Sequence, residues 1–406
     1  MFVFALFFIF GGITSLNDVI IPKLKELFTL TYAQAMLVQS AFFAAYFLVS
    51  IPAAAIVRRA GYMRTAAIGL LTMTAGCLLF VPASSSGLFV TFLMALFILA
   101  SGITIVQVVA NPLISMLGNP ATSHSRLTFA QAFNSLGTTV FPYVGSMLIL
   151  GSLATVDQSA LTGAALDAYR AAESSVVSNA YLGLAAALII VAAVVWIRRN
   201  DLVEIPPESG STLRAFSLLA RPRFGFGALC IFLYVGGEVA IGSVIVNYLM
   251  QASVMGMAEQ SAGKMVSLYW GGAMVGRFIG AYLLRIYSPG KALACAATCV
   301  IALLTISAQS VGLLSGYSLL AIGLFNSIMF PTIFSLACEG LGRRAAEGSG
   351  VICMAIVGGA IVPPLMGYAA DSMGLKMALI VPAVCYAIIL LFGVYARRPH
   401  RRLAGE

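Results

Sequence analysis

The most constraining feature of this sequence is the length of its uncharged apolar runs. One of them extends from residue 88 to residue 117 without an Asp, Glu, Lys or Arg, and a helix that crosses a bilayer needs only about 20 apolar residues. The whole chain is 61% hydrophobic and 9% charged, whereas soluble domains are usually about 45–50% apolar and about 25% charged. We therefore expect an all-α membrane protein with many spanning helices.

Apolar runs separated by polar breaks predict twelve transmembrane helices. The predicted spans lie near residues 1–22, 32–57, 65–82, 88–117, 127–153, 176–197, 224–250, 261–285, 292–309, 314–337, 349–370 and 377–396. The first run has no basic start and no small-residue cleavage site, so we interpret it as a span rather than as a secretory signal.

The spans divide into two groups of six. The longest connector between them, from Arg198 to Arg223, contains Pro206-Pro207 and Ser209-Gly210-Ser211 and is typical of a linker. Weak self-similarity at an offset near 220 relates the two groups. The matched motifs are Gly11-Gly12 with Gly236-Gly237, Gln107 before Pro112 with Asn326 before Pro331, and Pro142–Gly145 with Pro364–Gly367. We predict two pseudo-symmetric six-helix bundles related as a parallel repeat, at 1–197 and 224–396, with a cytoplasmic linker at 198–223 and a tail at 397–406.

The basic excess predicts orientation rather than nucleic acid binding. The chain has 23 Lys and Arg against 14 Asp and Glu, and most of the basic residues fall in cytoplasmic connectors if the N-terminus is cytoplasmic. We expect both termini inside, a monomer in the lipid bilayer of a bacterial inner (plasma) membrane, and no nucleic acid partner. The seven cysteines lie mostly in apolar runs and only two histidines occur, so we expect neither a disulfide framework nor a metal site.

Two acids lie inside apolar runs, and such residues usually face a water-filled path or are protonated. Glu238 lies fourteen residues into the seventh span, about 21 Å along a helix, which places it near the midplane. Asp18 lies closer to the outer end of the first span. We interpret both as candidate cation-coupling residues, with snorkelling or gating as the alternative role for Asp18.

Amide side chains are the second unusual feature of the spans. An amide both donates and accepts hydrogen bonds, as a sugar hydroxyl does, although amides also stabilise helix contacts in membranes. The candidate sugar-binding amides are Asn17, Gln39, Gln107, Asn111, Gln131, Asn134, Asn247 and Asn326. Gln131 and Asn134, three residues apart, share a helix face, as do Gln107 and Asn111, four apart.

Two aromatic residues complete the predicted site. Tyr234 lies one turn before Glu238 and is expected to orient the carboxyl group. Trp270 lies about nine residues inside the eighth span, deep for an interfacial residue, so it is a candidate to stack on a sugar ring. Packing in the core is the alternative for Trp270.

Five segments of the chain resemble the fucose permease and glucose/galactose transporter family of the major facilitator superfamily. They are Asn17-Asp18-Val-Ile-Ile-Pro22, Ala110-Asn111-Pro112, Leu127-Thr-Phe-Ala-Gln131-Ala-Phe-Asn134-Ser-Leu-Gly137, Tyr234-Val-Gly-Gly-Glu238 and Phe330-Pro-Thr-Ile-Phe334. The resemblance implies a sugar–cation symporter that works by alternating access. Gln107 stands where fucose permeases have a second acid and Phe330 where they have a tyrosine, while Glu238 matches the glucose/galactose branch.

The combined interpretation is a secondary active transporter of a hexose or related sugar coupled to H⁺. Alternatives are a Na⁺-coupled sugar symporter, an amino-sugar transporter and, more distantly, a membrane-embedded transferase that uses Asp18 or Glu238 as a base. An aqueous catalytic loop would be rich in acids, histidines or Ser/His pairs. The longest connectors contain only Asp157, Asp167 and Glu173 on the outer side and Asp201, Glu204 and Glu208 on the inner side. We therefore predict no enzyme activity and no cofactor, with H⁺ or Na⁺ as the coupling ion.

Overall fold

Helices occupy the described part of each of the twelve predicted spans. The computed structural model describes residues 2–27, 32–86, 88–145, 163–200 and 212–397, and residues 146–153 of the predicted fifth span lie outside these ranges. The helices are α1 (Phe2–Leu27), α2 (Tyr32–Ala60), α3 (Tyr62–Ser86), α4 (Phe89–Met116), α5 (Ser123–Gly145), α6 (Ala164–Ile197), α7 (Pro222–Met250), α8 (Glu259–Ile286), α9 (Pro289–Gln309), α10 (Gly312–Asn326), α11 (Met329–Cys338), α12 (Ala345–Ala355), α13 (Gly358–Met373), α14 (Leu375–Ala378) and α15 (Ile380–Ala396).

Within the described residues, nine helical stretches are long and apolar enough to cross a membrane. Three of them combine consecutive segments: α10 with α11, α12 with α13, and α14 with α15. The other three predicted spans coincide with α1, α5 and α8. In α8 the charges of Lys264, Arg277 and Arg285 lower the hydropathy of a helix that is otherwise long enough to span.

One boundary differs clearly from the prediction. Helix α6 begins at Ala164 rather than near residue 176, so Asp167 and Glu173 lie on a helix and not in a loop. The apolar run predicts where the membrane begins, whereas the helix continues beyond it because Ala-rich sequence has high helix propensity.

The tenth span is broken near its middle. Helix α10 ends at Asn326 and α11 begins at Met329. Pro331 has no N–H to donate to the carbonyl of Ser327 four residues earlier, so that carbonyl is available to a side chain. A second break separates α12 from α13 immediately before the Gly358-Gly359 pair.

Backbone contacts group the chain into two compact units, Met1–Ala110 with Leu136–Pro207 and Asn111–Ser135 with Glu208–Glu406. The first half of α5 is thus grouped with the C-terminal helices. The bundle boundaries at 1–197 and 224–396 stay a prediction, because this grouping describes contacts and not the evolutionary repeat.

The internal repeat is visible in the packing of each unit. In the first unit, a Cβ atom on Gly137 of α5 would lie 2.8 Å from the backbone nitrogen of Gly12 of α1. In the second, a Cβ atom on Gly236 of α7 would lie 2.9 Å from the carbonyl oxygen of Gly358. Small residues let helix backbones approach closely in membranes. The two matched glycine motifs therefore serve the same packing purpose in the two units.

Candidate functional site

Glu238 is held by a tyrosine on its own helix. The Tyr234 hydroxyl donates to Oε1 of Glu238 at 2.7 Å, because residues four apart lie on the same face of α7. Tyr234 is almost completely buried, at 1% exposure, while Glu238 is half-buried. The predicted orienting hydrogen bond is therefore present, and the carboxyl group is fixed at the middle of the span.

Asn326 joins this group from the end of α10. Its Nδ2 donates to the Tyr269 hydroxyl of α8 at 2.9 Å, and its carbonyl oxygen lies 3.0 Å from the Tyr234 hydroxyl. The carbonyl is available because α10 ends at this residue. Tyr269 and Tyr386, both fully buried, lie within Coulombic range of Glu238. Glu238 is thus bonded to one tyrosine hydroxyl and is electrostatically coupled to two further buried tyrosines.

The first unit contains an equivalent tyrosine–amide pair. The Tyr46 hydroxyl of α2 donates to Oε1 of Gln107 of α4 at 2.8 Å. Gln107 and Asn326 are matched positions of the sequence repeat, and Tyr46 and Tyr269 lie on the matched second helix of each group. The repeat therefore places a tyrosine-bonded amide in each unit.

Asn111, predicted together with Gln107, is fully buried one turn further along α4. Neither its amide nitrogen nor its amide oxygen has a hydrogen-bond partner among the described residues. A buried amide without partners costs about 1–3 kcal/mol. Its side chain is thus a ready donor and acceptor for a polar ligand or for water.

The predicted face of α5 contacts an arginine of α8. Nη1 of Arg277 donates to the Ser135 hydroxyl and lies 3.3 Å from the carbonyl oxygen of Gln131. Gln131 is 5% exposed and Asn134 is half-buried. This arginine therefore braces the turn of α5 that carries the two predicted sugar-binding amides.

Trp270 and Asn247 are both exposed. The Trp270 ring lies at 83° to that of Tyr269, with centroids 5.1 Å apart. Asn247 lies nine residues beyond Glu238 on α7, about 13 Å along the helix. The predicted roles of Trp270 and Asn247 in sugar binding stay predictions.

The remaining predicted residues, Asn17, Asp18 and Gln39, lie on α1 and α2. Their side chains belong to residues 16–39, which are outside the described side chains. Their predicted roles stay predictions.

Sequence reasoning missed four members of these groups: Tyr46, Tyr269, Arg277 and Tyr386. Arg277 carried a usable signal, since a cation inside a predicted span is uncommon and is usually functional. The tyrosines carried none, because a tyrosine in an apolar run is equally compatible with core packing.

A separate polar group lies at the first turn of α5, ahead of the predicted span at 127–153. Ser125 donates to the carbonyl of Ala281 at 2.6 Å and accepts from Nε of Arg285 at 3.2 Å. Burial, reinforced by the nearby charge of Arg223, lowers the pKa of His124 to about 4. This histidine is therefore neutral near pH 7.

Comparison with known proteins places this architecture in a family. The family model described as Major Facilitator Superfamily matches residues 3–356. The chain belongs to this superfamily. Its fold is accordingly the twelve-helix major facilitator fold.

Relatives within the superfamily are similar over nearly the whole chain. A glucose/galactose transporter of Brucella abortus is 48% identical over 96% of this chain and 92% of its own length. The L-fucose-proton symporter of Escherichia coli is 34% identical over 96% of this chain and 90% of its own. The crystal structure of the major facilitator transporter FucP in the outward conformation superposes with a TM-score of 0.89 at 32% identity, covering 97% of both chains.

Proposed function

We propose that this major facilitator is a secondary active sugar transporter that couples the uptake of a hexose, glucose or galactose, to H⁺ by alternating access. The observation that carries the proposal is Glu238, a carboxyl group in the middle of a span, which accepts a hydrogen bond from Tyr234. The Tyr234 hydroxyl also lies against the Asn326 carbonyl, and the Asn326 amide bonds to Tyr269. The names of the similar proteins, a glucose/galactose transporter and a proton symporter of a sugar, support the same reaction class.

The side chains suit a neutral polyol. Amides and tyrosine hydroxyls can donate to and accept from sugar hydroxyls, and the exposed face of Trp270 can stack on the apolar face of a pyranose. Gln107 and Asn111 of α4 offer the same chemistry, as do Gln131 and Asn134 of α5. Asn17 and Gln39 complete the proposed sugar-binding set.

Coupling follows from the charge of one residue. An ionised carboxylate costs about 2.5–3.5 kcal/mol at the bilayer centre on insertion scales, so its protonation removes a barrier to reorientation of the loaded carrier. Sugar and proton then share one conformational equilibrium. We assign this role to Glu238, with Asp18 as the second coupling acid.

Transport of labelled sugars in proteoliposomes tests the proposal. We expect counterflow of glucose or galactose without an ion gradient, and accumulation when the exterior is more acidic than the lumen. Accumulation driven only by a Na⁺ gradient would identify Na⁺ as the coupling ion instead. Counterflow of glucosamine in preference to both hexoses would identify an amino-sugar transporter. No counterflow of any of the three would contradict the proposal.

We further propose that the transporter is a monomer in the bacterial inner membrane with both termini in the cytoplasm. The bias of arginines toward alternate connectors supports this orientation. In a background without native cysteines, Ala172→Cys at the start of α6 should react with an impermeant thiol reagent added to intact cells, and Ser209→Cys in the linker should not. The reverse pattern would invert the topology.

A further inference from the structure

Arg277 is a cation inside the predicted eighth span that the sugar-binding proposal does not use. It is half-buried on α8, and intramembrane charges are usually retained because they act on a partner. Its guanidinium group presents five N–H donors in a fixed planar fork. A single arginine can therefore connect several helices at once.

One set of contacts reaches α5. Nη1 of Arg277 contacts the Ser135 hydroxyl and the Gln131 carbonyl oxygen, which flank Asn134 along the helix. The proposed sugar-binding turn of α5 is thus fastened to α8 by this side chain.

The other contact reaches the break in the tenth span. Nε of Arg277 donates to the carbonyl oxygen of Ser327 at 3.3 Å, the carbonyl that Pro331 leaves without a helical donor. The adjacent carbonyl, that of Asn326, lies 3.0 Å from the Tyr234 hydroxyl, which in turn donates to Glu238. Two consecutive peptide units therefore connect the carboxyl group to the arginine.

The arginine is also an electrostatic partner of the carboxyl group. Its charge acts on Glu238 through space. The other titratable groups that face Glu238 from the packed helices are Tyr234, Tyr269 and Tyr386. Among the described basic residues, Arg277 is accordingly the one whose charge acts on Glu238.

We propose that Arg277 is a positioning residue that transmits the charge of Glu238 to the sugar-binding turn of α5. This inference rests on the proposed function and adds the connection between its proton site and its sugar site. When Glu238 is ionised, the guanidinium group is attracted toward the carboxylate. When Glu238 is protonated, the full charge of Arg277 is available to the oxygens of Gln131, Ser135 and Ser327, and α5 is held more firmly.

A double-mutant cycle tests the connection without sugar. Hydrogen–deuterium exchange of α5 residues 131–139 is measured at one pH, near 8, in the full-length purified protein, for wild type, Glu238→Gln, Arg277→Gln and the double variant. Glu238→Gln mimics the protonated carboxyl group. With Arg277 present, we expect Glu238→Gln to slow exchange in this segment by about fivefold or more, the lower end of typical coupling between sites. In the Arg277→Gln background, we expect Glu238→Gln to slow exchange by less than about 1.5-fold.

Arg285→Gln is the matched control, since Arg285 also joins α8 to α5 through Ser125 but lies beyond the Glu238 group. The effect of Glu238→Gln must persist at full size in that background. Three results would overturn the proposal. Glu238→Gln slows exchange equally with and without Arg277, its effect disappears in the Arg285→Gln background, or it does not slow exchange in the wild-type background.

If Arg277→Gln does not fold, Ser135→Ala replaces it. In that background the effect must fall below about twofold, and an undiminished effect overturns the proposal.

Sugar affinity provides the second readout. Glu238→Gln should change the dissociation constant of the transported hexose by about fivefold or more with Arg277 present and by less than twofold with Arg277→Gln. Because the exchange experiment contains no sugar, a failure of counterflow contradicts the proposed function alone. A failure of the exchange cycle contradicts the role of Arg277 alone.

Discussion

Replacing Tyr234 by Phe removes one hydroxyl group and keeps the aromatic ring that packs in the core. The lost hydroxyl donates to Glu238 at 2.7 Å and lies 3.0 Å from the Asn326 carbonyl oxygen. A hydrogen bond to a charged group contributes about 1.5–3 kcal/mol, which corresponds to about 10- to 150-fold in an equilibrium constant. We expect sugar accumulation driven by a pH gradient to fall by about tenfold or more in Tyr234→Phe.

The chain offers a matched control on the same helix. Tyr248 is also fully buried, and its hydroxyl bonds to the Ser307 carbonyl at 2.8 Å and to the Ser315 hydroxyl at 2.9 Å, with no carboxylate in the group. Tyr248→Phe should lower the free energy of unfolding by about 1–3 kcal/mol and leave coupled transport near the wild-type level. The assay is uptake into proteoliposomes alongside thermal unfolding. Wild-type accumulation by Tyr234→Phe, or equal loss in both variants, would refute the assignment.

Three further predictions concern binding, packing and pH. Gln131→Ala and Asn134→Ala should each weaken sugar binding by about tenfold with little change in unfolding temperature, and near-normal affinity in both would remove α5 from the site. Gly358→Ala would place a Cβ atom 1.9 Å from the Phe232 carbonyl oxygen and should lower stability by about 1–3 kcal/mol. Gly367 lies on the same helix, and a Cβ atom there would have no described neighbour within 4 Å, so Gly367→Ala should leave stability unchanged. Since the pKa of His124 is held at about 4, His124→Gln should leave the pH profile of transport between about pH 6 and 8 unchanged, and a shifted profile would assign proton coupling partly to this histidine.

Contacts between residues of the same helix could be predicted from the sequence, because they depend on helical periodicity. Tyr234 and Glu238 are four residues apart in an apolar run, so their hydrogen bond follows from the geometry of a single helix. The matched glycines Gly12 and Gly236 likewise lie where another helix backbone comes close.

Contacts between residues of different helices could not be predicted in this way. Gln107 and Asn326 stand at the same spacing before a proline, yet α4 continues past Pro112 while the tenth span breaks at Asn326. At the break, the hydroxyl of Tyr234 and the guanidinium of Arg277 come from other parts of the fold and bond to the freed carbonyl groups. A local pattern does not contain such donors, and for the same reason Tyr269 and Tyr386 were not distinguishable from core residues.

The most direct test of the account is Glu238→Gln, which imitates the protonated carboxyl group at nearly the same size. If Glu238 carries the coupled proton, the purified variant should exchange labelled glucose or galactose by counterflow and should not accumulate either sugar when a pH gradient is imposed. Accumulation at the wild-type level would show that Glu238 is not the coupling residue and would move that role to Asp18 or to a Na⁺ site. Loss of sugar binding itself would contradict the separation of coupling from binding and would make the carboxyl group a direct ligand of the sugar.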